Sequence, residues 1–181
     1  TGGSTNRVGV TEQNFLGKGI NLNTNIEISE SAVKGQFIYS KPNFNYTDNT
    51  LFTSLTSTST DNLGDFGYKT SELGFSIGTE FEQYENLFFS PSLRTSLEDL
   101  ETNAKASSSL KKQEGDYTDI YFDYGLSYDL RNSNYKPTSG NKTSFFQELP
   151  VVSDSKELSN TFIFTQYKKL SKKSDMVGKA S

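Results

Sequence analysis

The stretch Gly19-Ile-Asn-Leu-Asn-Thr-Asn-Ile-Glu-Ile-Ser29 decides the fold. Ile20, Leu22, Ile26 and Ile28 fall on one side of an extended chain, and Asn21, Asn23, Asn25 and Glu27 fall on the other. A repeat of two is the signature of a two-faced β-strand. The same beat returns at Leu73, Phe75, Ile77 and Phe81 against Glu72, Ser76, Glu80 and Glu82. It returns again at Ile120, Phe122, Tyr124, Leu126, Tyr128 and Leu130 against Asp119, Asp123, Ser127 and Asp129. A helical period of 3.6 would scatter these residues around the whole helix surface.

Turn-bounded segments of this kind predict ten strands, at 5–15, 19–29, 32–41, 49–60, 70–82, 86–99, 117–131, 141–152, 158–170 and from near Asp175 onward. Segments of about ten residues suit tilted strands that cross a bilayer, whereas strands of soluble sheets average about five or six. The predicted class is therefore all-β, an antiparallel up-and-down transmembrane β-barrel.

Composition agrees. Only 32% of the 181 residues are hydrophobic and the mean hydropathy is −0.64, too polar for a large soluble core. Yet 14 Phe and 10 Tyr are too many aromatics for a disordered chain. A barrel wall needs apolar groups at only every second position. Aromatics near strand ends, Phe15, Tyr39, Phe44, Tyr46, Phe88, Phe89, Tyr117, Tyr135 and Tyr167, are expected to form girdles at the two interfaces.

Taken alternately, the connections divide into two sets. Those around 16–19, 41–48, 83–85, 131–141 and 171–174 are assigned to the periplasm; those around 30–31, 61–69, 100–116 and 153–157 to the exterior, where barrels carry their longer loops. Met176, Gly178 and Ala180 open a new alternation after Lys172 to Asp175, and no signal peptide opens the chain at Thr1. Both features are read as an interior slice of a larger barrel, since unpaired strand edges in lipid are costly.

Chemistry is sparse. Cysteine and histidine are both absent, which removes thiolate sites, cysteine nucleophiles, histidine triads and the usual zinc sets. No catalytic, cofactor or metal residues are expected, and the chain is read as no enzyme. Gly17-Lys18-Gly19 lacks the P-loop frame and reads as a tight turn. Glu80 with Glu82, and Asp119 with Asp123, read as lumen-lining charges. The sequons at Asn45-Tyr46-Thr47 and Asn141-Lys142-Thr143 are patterns that arise by chance in an Asn- and Thr-rich chain. A net charge of −4 argues against nucleic acid, and the basic cluster Lys168, Lys169, Lys172 and Lys173 reads as a solvated turn.

Three segments carry a resemblance to a family. Gly9-Val-Thr-Glu-Gln-Asn-Phe-Leu-Gly-Lys-Gly19 is similar to the second strand and first periplasmic turn of the BamA barrel, the BamA family being outer-membrane protein assembly factors. Tyr39-Ser-Lys-Pro-Asn-Phe44 resembles that family's Asn-Pro-Tyr-Phe-type turn. Tyr128-Asp-Leu-Arg-Asn-Ser-Asn-Tyr-Lys-Pro-Thr-Ser-Gly140 resembles its Asp-x-Arg…Pro-Thr-x-Gly turn and is the most specific of the three. In that turn Pro137 fixes one backbone angle and Gly140 frees another, so the chain can reverse after Arg131.

The resemblance implies strands two to eleven of a sixteen-strand barrel in the bacterial outer membrane. It also implies an insertase that offers a weakly paired seam to incoming strands, with outer-membrane lipid, nascent outer-membrane proteins and assembly-complex lipoproteins as partners of the full-length protein. The seam strands, the POTRA domains and the lumen loop of that family have no counterpart in these 181 residues, so none of their functional residues is carried over. A porin-like or other small barrel acting as channel or adhesin, and a TamA-like translocation factor, share the periodicity and are the alternatives. A soluble β-sandwich would have shorter strands.

Overall fold

A computed structural model of the chain describes residues 4–153, 157–170 and 177–180. Ten strands follow one another in a single antiparallel sheet, each paired with the next in chain order. They are β1 (Asn6–Phe15), β2 (Ile20–Ile28), β3 (Ala32–Lys41), β4 (Thr50–Asn62), β5 (Tyr68–Tyr84), β6 (Leu87–Thr102), β7 (Gly115–Asp129), β8 (Gly140–Val152), β9 (Ser159–Lys169) and β10 (Val177–Ala180). The fold is thus the predicted all-β, up-and-down sheet, a partial barrel. No helix among the described residues is long and apolar enough to cross a membrane. The expected tenth strand is present, while Met176, Asp175, Lys172 and Lys173 lie outside the described residues.

Register joins the separate alternations into one surface. Thr24 pairs with Phe37, Phe37 with Leu55, Leu55 with Phe75, Phe75 with Thr95 and Thr95 with Ile120. The row beside it runs Ile26, Gly35, Ser57, Leu73, Leu97 and Thr118. Since directly opposed residues point the same way, the apolar sets of all these strands share one face. Glu27, Lys34, Gln36, Glu72, Ser76, Arg94 and Asp123 share the other. Neither face is covered. Phe75 is 42% and Leu126 38% exposed, and Ile20 is half-buried, so the oily face does not enclose a dry core. Leu100 and Ala106 are the buried hydrophobic residues among those described. A sheet that leaves such a face open satisfies the hydrophobic effect only against lipid or another apolar surface.

The apolar band also drifts along the strands. On β2 it is centred on Thr24 (Ile20 to Ile28), and in the pairing row of Thr24 β7 places Ile120. The band on β7, Ile120 to Tyr128, is centred on Tyr124. A drift of about four residues over about five strand steps, at ~3.4 Å per residue and ~4.8 Å per step, is a tilt of about 30°. Transmembrane barrels tilt their strands by roughly 35–45°. The band therefore stays near one level only if the strands lean about as they do in membrane barrels.

The connections alternate between two ends as expected. At the turn end lie residues 16–19, 42–49, 85–86 and 130–139; at the loop end lie 29–31, 63–67, 103–114, 153 and 157–158, while the expected turn at 171–174 lies outside the described residues. Two short elements escaped the sequence reading: a 3₁₀ turn at Phe44–Tyr46 and a one-turn helix α1 at Ser108–Lys111, capped by the Ser107 hydroxyl, which accepts from the Leu110 N–H. Strands β5 and β6 run to 17 and 16 residues, longer than predicted, because Lys69 opposite Glu101 and Tyr68 opposite Thr102 continue the ladder at the loop end.

The girdle expectation needs a correction. Phe15, Tyr39 and Phe89 lie on the apolar face and Phe44, Tyr46 and Tyr135 are exposed at the turn end. Phe88, Tyr117 and Tyr167 sit on the polar face instead. Phe88 opposes Ser127 and Glu82, Tyr117 opposes Glu98, and Tyr167 opposes Gly140. Being near a strand end does not fix the side of the sheet; the parity set by register does.

Candidate functional site

The polar face carries its densest charge across β6, β7 and β8. Arg94 Nε donates to Asp123 Oδ2 at 3.1 Å, and its Nη2 lies 3.4 Å from Glu148 Oε2. The guanidinium lies over the Tyr121 ring, 4.5 Å from its centroid. One cation therefore ties three strands. It can lie flat because its neighbours along the face are small: Ser76 opposes it on β5, Ser92 and Ser96 flank it on β6, and the Ser54 and Ser76 hydroxyls bond at 2.7 Å. Sequence reading picked out Asp119 and Asp123 but missed Arg94 and Glu148, which meet Asp123 only through pairing across strands. Asp123 Oδ1 is buried with no hydrogen-bond partner, so this carboxylate bonds through one oxygen alone.

Aromatic rings also lie on this face, over glycines. A Cβ on Gly125 would meet the Phe146 ring at 2.8 Å, and Gly78 is covered by the Phe52 ring. Glycine opposite an aromatic lets the ring lie across the neighbouring strand. Glu80 accepts from the Ser90 hydroxyl at 3.0 Å and Glu82 from the Asn86 N–H at 2.6 Å, so the two carboxylates hold strand and turn separately. Arg7 on β1 pairs with Glu27 on β2.

The most elaborate construction is the turn at 130–139, between β7 and β8. Arg131 clasps Asp129 with two parallel bonds, Nε to Oδ1 at 2.8 Å and Nη2 to Oδ2 at 2.6 Å, and its backbone N–H donates to Oδ1 at 3.1 Å. Both side chains are nearly buried, 15% and 11% exposed. Bidentate geometry of this kind gives direction as well as energy. Asp129 and Tyr167 hold the Arg131 guanidinium even further above its ordinary range, the hydrogen bond to Asp129 being the main cause.

Asn132 organises the rest. Its Oδ1 accepts from the Thr138 and Ser139 N–H groups at 2.9 and 3.1 Å, and its Nδ2 donates to Thr138 Oγ1 at 2.8 Å. Gly140 closes the turn at φ +96°, where a Cβ would collide with the Leu130 carbonyl oxygen. The Asp129–Arg131 pair and Gly140, named from the sequence motif, are thus brought together; the Asn132 bracket was not anticipated. The tight turn at Gly17 and Gly19 is also as expected, with φ near +68° and +67° and Asn14 accepting from both N–H groups.

At the loop end, the 103–114 connection is fastened onto 63–67. Asn103 Nδ2 donates to the Leu63 carbonyl at 2.9 Å, Lys105 Nζ to the Gly64 carbonyl at 2.5 Å, and Asn103 N–H to the Gly67 carbonyl at 2.9 Å. Leu100 and Ala106 are buried at this junction.

The model of the Omp85 superfamily domain matches residues 14–181. The chain belongs to the Omp85 superfamily. All three sequence motifs fall wholly or partly within that match. Among the solved structures similar to this Omp85 domain is BamA from Haemophilus ducreyi lacking POTRA domains 1–3, at a TM-score of 0.68 and 22% identity over 94% of the chain. The fold is accordingly that of a partial BamA-like barrel. The chain spans 36% of the length of that BamA structure. No curated protein sequence matches the chain.

Proposed function

We propose that this Omp85 domain is a segment of the C-terminal β-barrel domain of a BamA-type assembly factor, which folds and inserts outer-membrane proteins in the bacterial outer membrane. The observation that carries the reading is the 130–139 turn. Its Asp129–Arg131 clasp and Gly140 closure give physical form to the Asp-x-Arg…Pro-Thr-x-Gly motif, inside the segment that the superfamily model matches. On this reading the turn end faces the periplasm, the 63–67 and 103–114 connections face outward, and the apolar face meets lipid.

The work done is physical rather than covalent. A client strand adds to a weakly paired edge elsewhere in the barrel by main-chain hydrogen bonding, and the stretch β1–β10 supplies the rigid wall that holds that edge open. Unfolded outer-membrane proteins and assembly lipoproteins are the partners this role requires. The test is a reconstitution. Full-length protein in liposomes is expected to speed the folding of a urea-unfolded eight-strand barrel well above empty liposomes, without solute-dependent swelling. Swelling without faster folding would establish the channel reading, and export of a passenger domain without faster folding the TamA-like one.

A further inference from the structure

Two neighbouring turns at the turn end share a cleft. Lys18 and Gly19 line it from the turn between β1 and β2, and Lys41 with residues 42–46 lines it from the turn between β3 and β4. Its volume is about 540 Å³, within the roughly 300–1,000 Å³ of small-molecule sites. Lys41 follows Phe37 and Tyr39 on the outward side of β3 and pairs with Leu51 on β4. The cleft therefore lies where the oily band ends.

Its chemistry has two parts. Lys18 and Lys41 have no carboxylate partner among the described residues, and no Asp or Glu lines the cleft, Glu12 and Asp48 of the same two hairpins included. The Lys41 ammonium lies 5.9 Å from the centre of the Phe44 ring, and the exposed Asn45 makes no hydrogen bond to the described residues. Beside these polar groups each turn holds one large apolar side chain outward from a left-handed backbone: Leu16 at φ +54° is 73% exposed, and Tyr46 at φ +59° is fully exposed. A bulky residue in that region costs free energy, and no burial within the protein offsets it here. The other turns at this end lack the combination. Glu82 and Glu85 flank residue 86, and in the 130–139 turn Asp129 takes the Arg131 charge.

We propose that the cleft between the 16–19 and 42–46 turns binds the phosphodiester of an anionic phospholipid in the periplasmic leaflet. Lys18 and Lys41 meet the phosphate, while Leu16 and Tyr46 enter the glycerol and upper acyl layer, where their exposure is no longer unfavourable. A free anion would leave both apolar side chains in water, and acyl chains alone would leave both ammonium groups unpaired. A zwitterionic head would bring an amine for which the cleft has no carboxylate. The site rests on the proposed placement of the turn end at the periplasmic leaflet, and its test reads that placement separately.

The 181 residues contain no tryptophan, so one introduced beside the cleft reports on it. Tyr46→Trp, Tyr135→Trp at the 130–139 turn and Phe75→Trp in the apolar band are placed singly in the full-length protein, with any other tryptophan changed to phenylalanine. Each is reconstituted in phosphatidylcholine nanodiscs, and heat-dependent gel mobility checks that it is folded. Phosphatidylglycerol or phosphatidylethanolamine with a nitroxide near the top of one acyl chain is the quencher, at increasing fractions of the lipid. At position 46 phosphatidylglycerol is expected to reach half-maximal quenching at an about fivefold lower fraction than phosphatidylethanolamine. Combining Lys18→Gln with Lys41→Gln is expected to abolish that preference, and Lys112→Gln with Lys136→Gln, the same charge change outside the cleft, to leave it. Equal quenching by the two lipids at 46, a preference as large at 135, a preference indifferent to the Lys18 and Lys41 changes, or its loss to inorganic phosphate at constant ionic strength would each overturn the proposal. Quenching at 75 but by neither lipid at 46 would show that protein covers the cleft and would overturn it as well. No quenching at 75 would refute the membrane placement itself, and the proposal with it.

Discussion

Replacing Gly140 by alanine probes the turn that carries the functional reading. At φ +96° a side chain is held outside the conformations L-residues favour, which costs of order 1–3 kcal/mol. The new methyl also overlaps the Leu130 carbonyl oxygen and approaches Arg131 Cα to 2.9 Å, and these are backbone atoms that cannot rotate aside. Relief requires moving the Asp129–Arg131 clasp or the Leu130 N–H bond to the Asn141 carbonyl, 2.8 Å. The two effects together are worth about 3 kcal/mol, roughly 150-fold in the folding equilibrium. Gly17→Ala separates them: φ is +68° there but no atom lies within 4 Å, so only the dihedral cost of about 1 kcal/mol applies. The 181 residues contain no tryptophan, so folded fraction against urea is best read by the mobility of unheated samples from vesicles. Gly140→Ala is expected to shift the midpoint clearly further than Gly17→Ala. Equal shifts, or none at Gly140, would refute the account of the turn.

Other outcomes follow from the same contacts. Asp129→Asn leaves the nearly buried Arg131 without its counter-charge and is expected to cost about 2–3 kcal/mol, much of it recovered when Arg131→Met is added; a urea double-mutant cycle measures both. Asn132→Ala removes three side-chain bonds and is expected to open residues 130–139 to protease in inside-out or detergent-solubilised samples, with cleavage sites read by mass spectrometry. Phe75→Lys places a charge at the level of the lipid-facing band and is expected to lower folding stability by about 2–4 kcal/mol, whereas Glu72→Lys on the polar face of the same strand, opposite Glu98, changes it little; folding yield into vesicles compares them.

Most of the sheet was legible because its signal is local. The two-residue beat of Ile20 to Ile28 or Ile120 to Tyr128 states which residues share a side, and turn residues such as Gly17, Pro42 and Pro137 state where a strand stops. Register is not local. Nothing in the neighbourhood of Phe146 or Phe52 says that a glycine, Gly125 or Gly78, lies across from it and makes room for a ring on the polar side. For the same reason Phe88, Tyr117 and Tyr167 were expected in the girdles and stand on the polar face. The Arg94 network joins residues 29 and 54 positions apart, and the extra length of β5 and β6 comes from pairs such as Lys69 with Glu101 that exist only once the hairpin has formed. Within the turn, the Asp129–Arg131 spacing and Gly140 carried a recognisable motif, while the Asn132 bracket depends on where the chain returns at Thr138 and Ser139.

The central claim is that alternate residues of each strand face lipid and water, and labelling β5 tests it most directly. Single cysteines at 72 through 77 in the otherwise cysteine-free chain, each carrying an environment-sensitive fluorophore in liposomes, are read against a lipid-borne and an aqueous quencher. Positions 73, 75 and 77 are predicted to answer the lipid quencher and 72, 74 and 76 the aqueous one; the same response at all six, or the reverse order, would contradict the account.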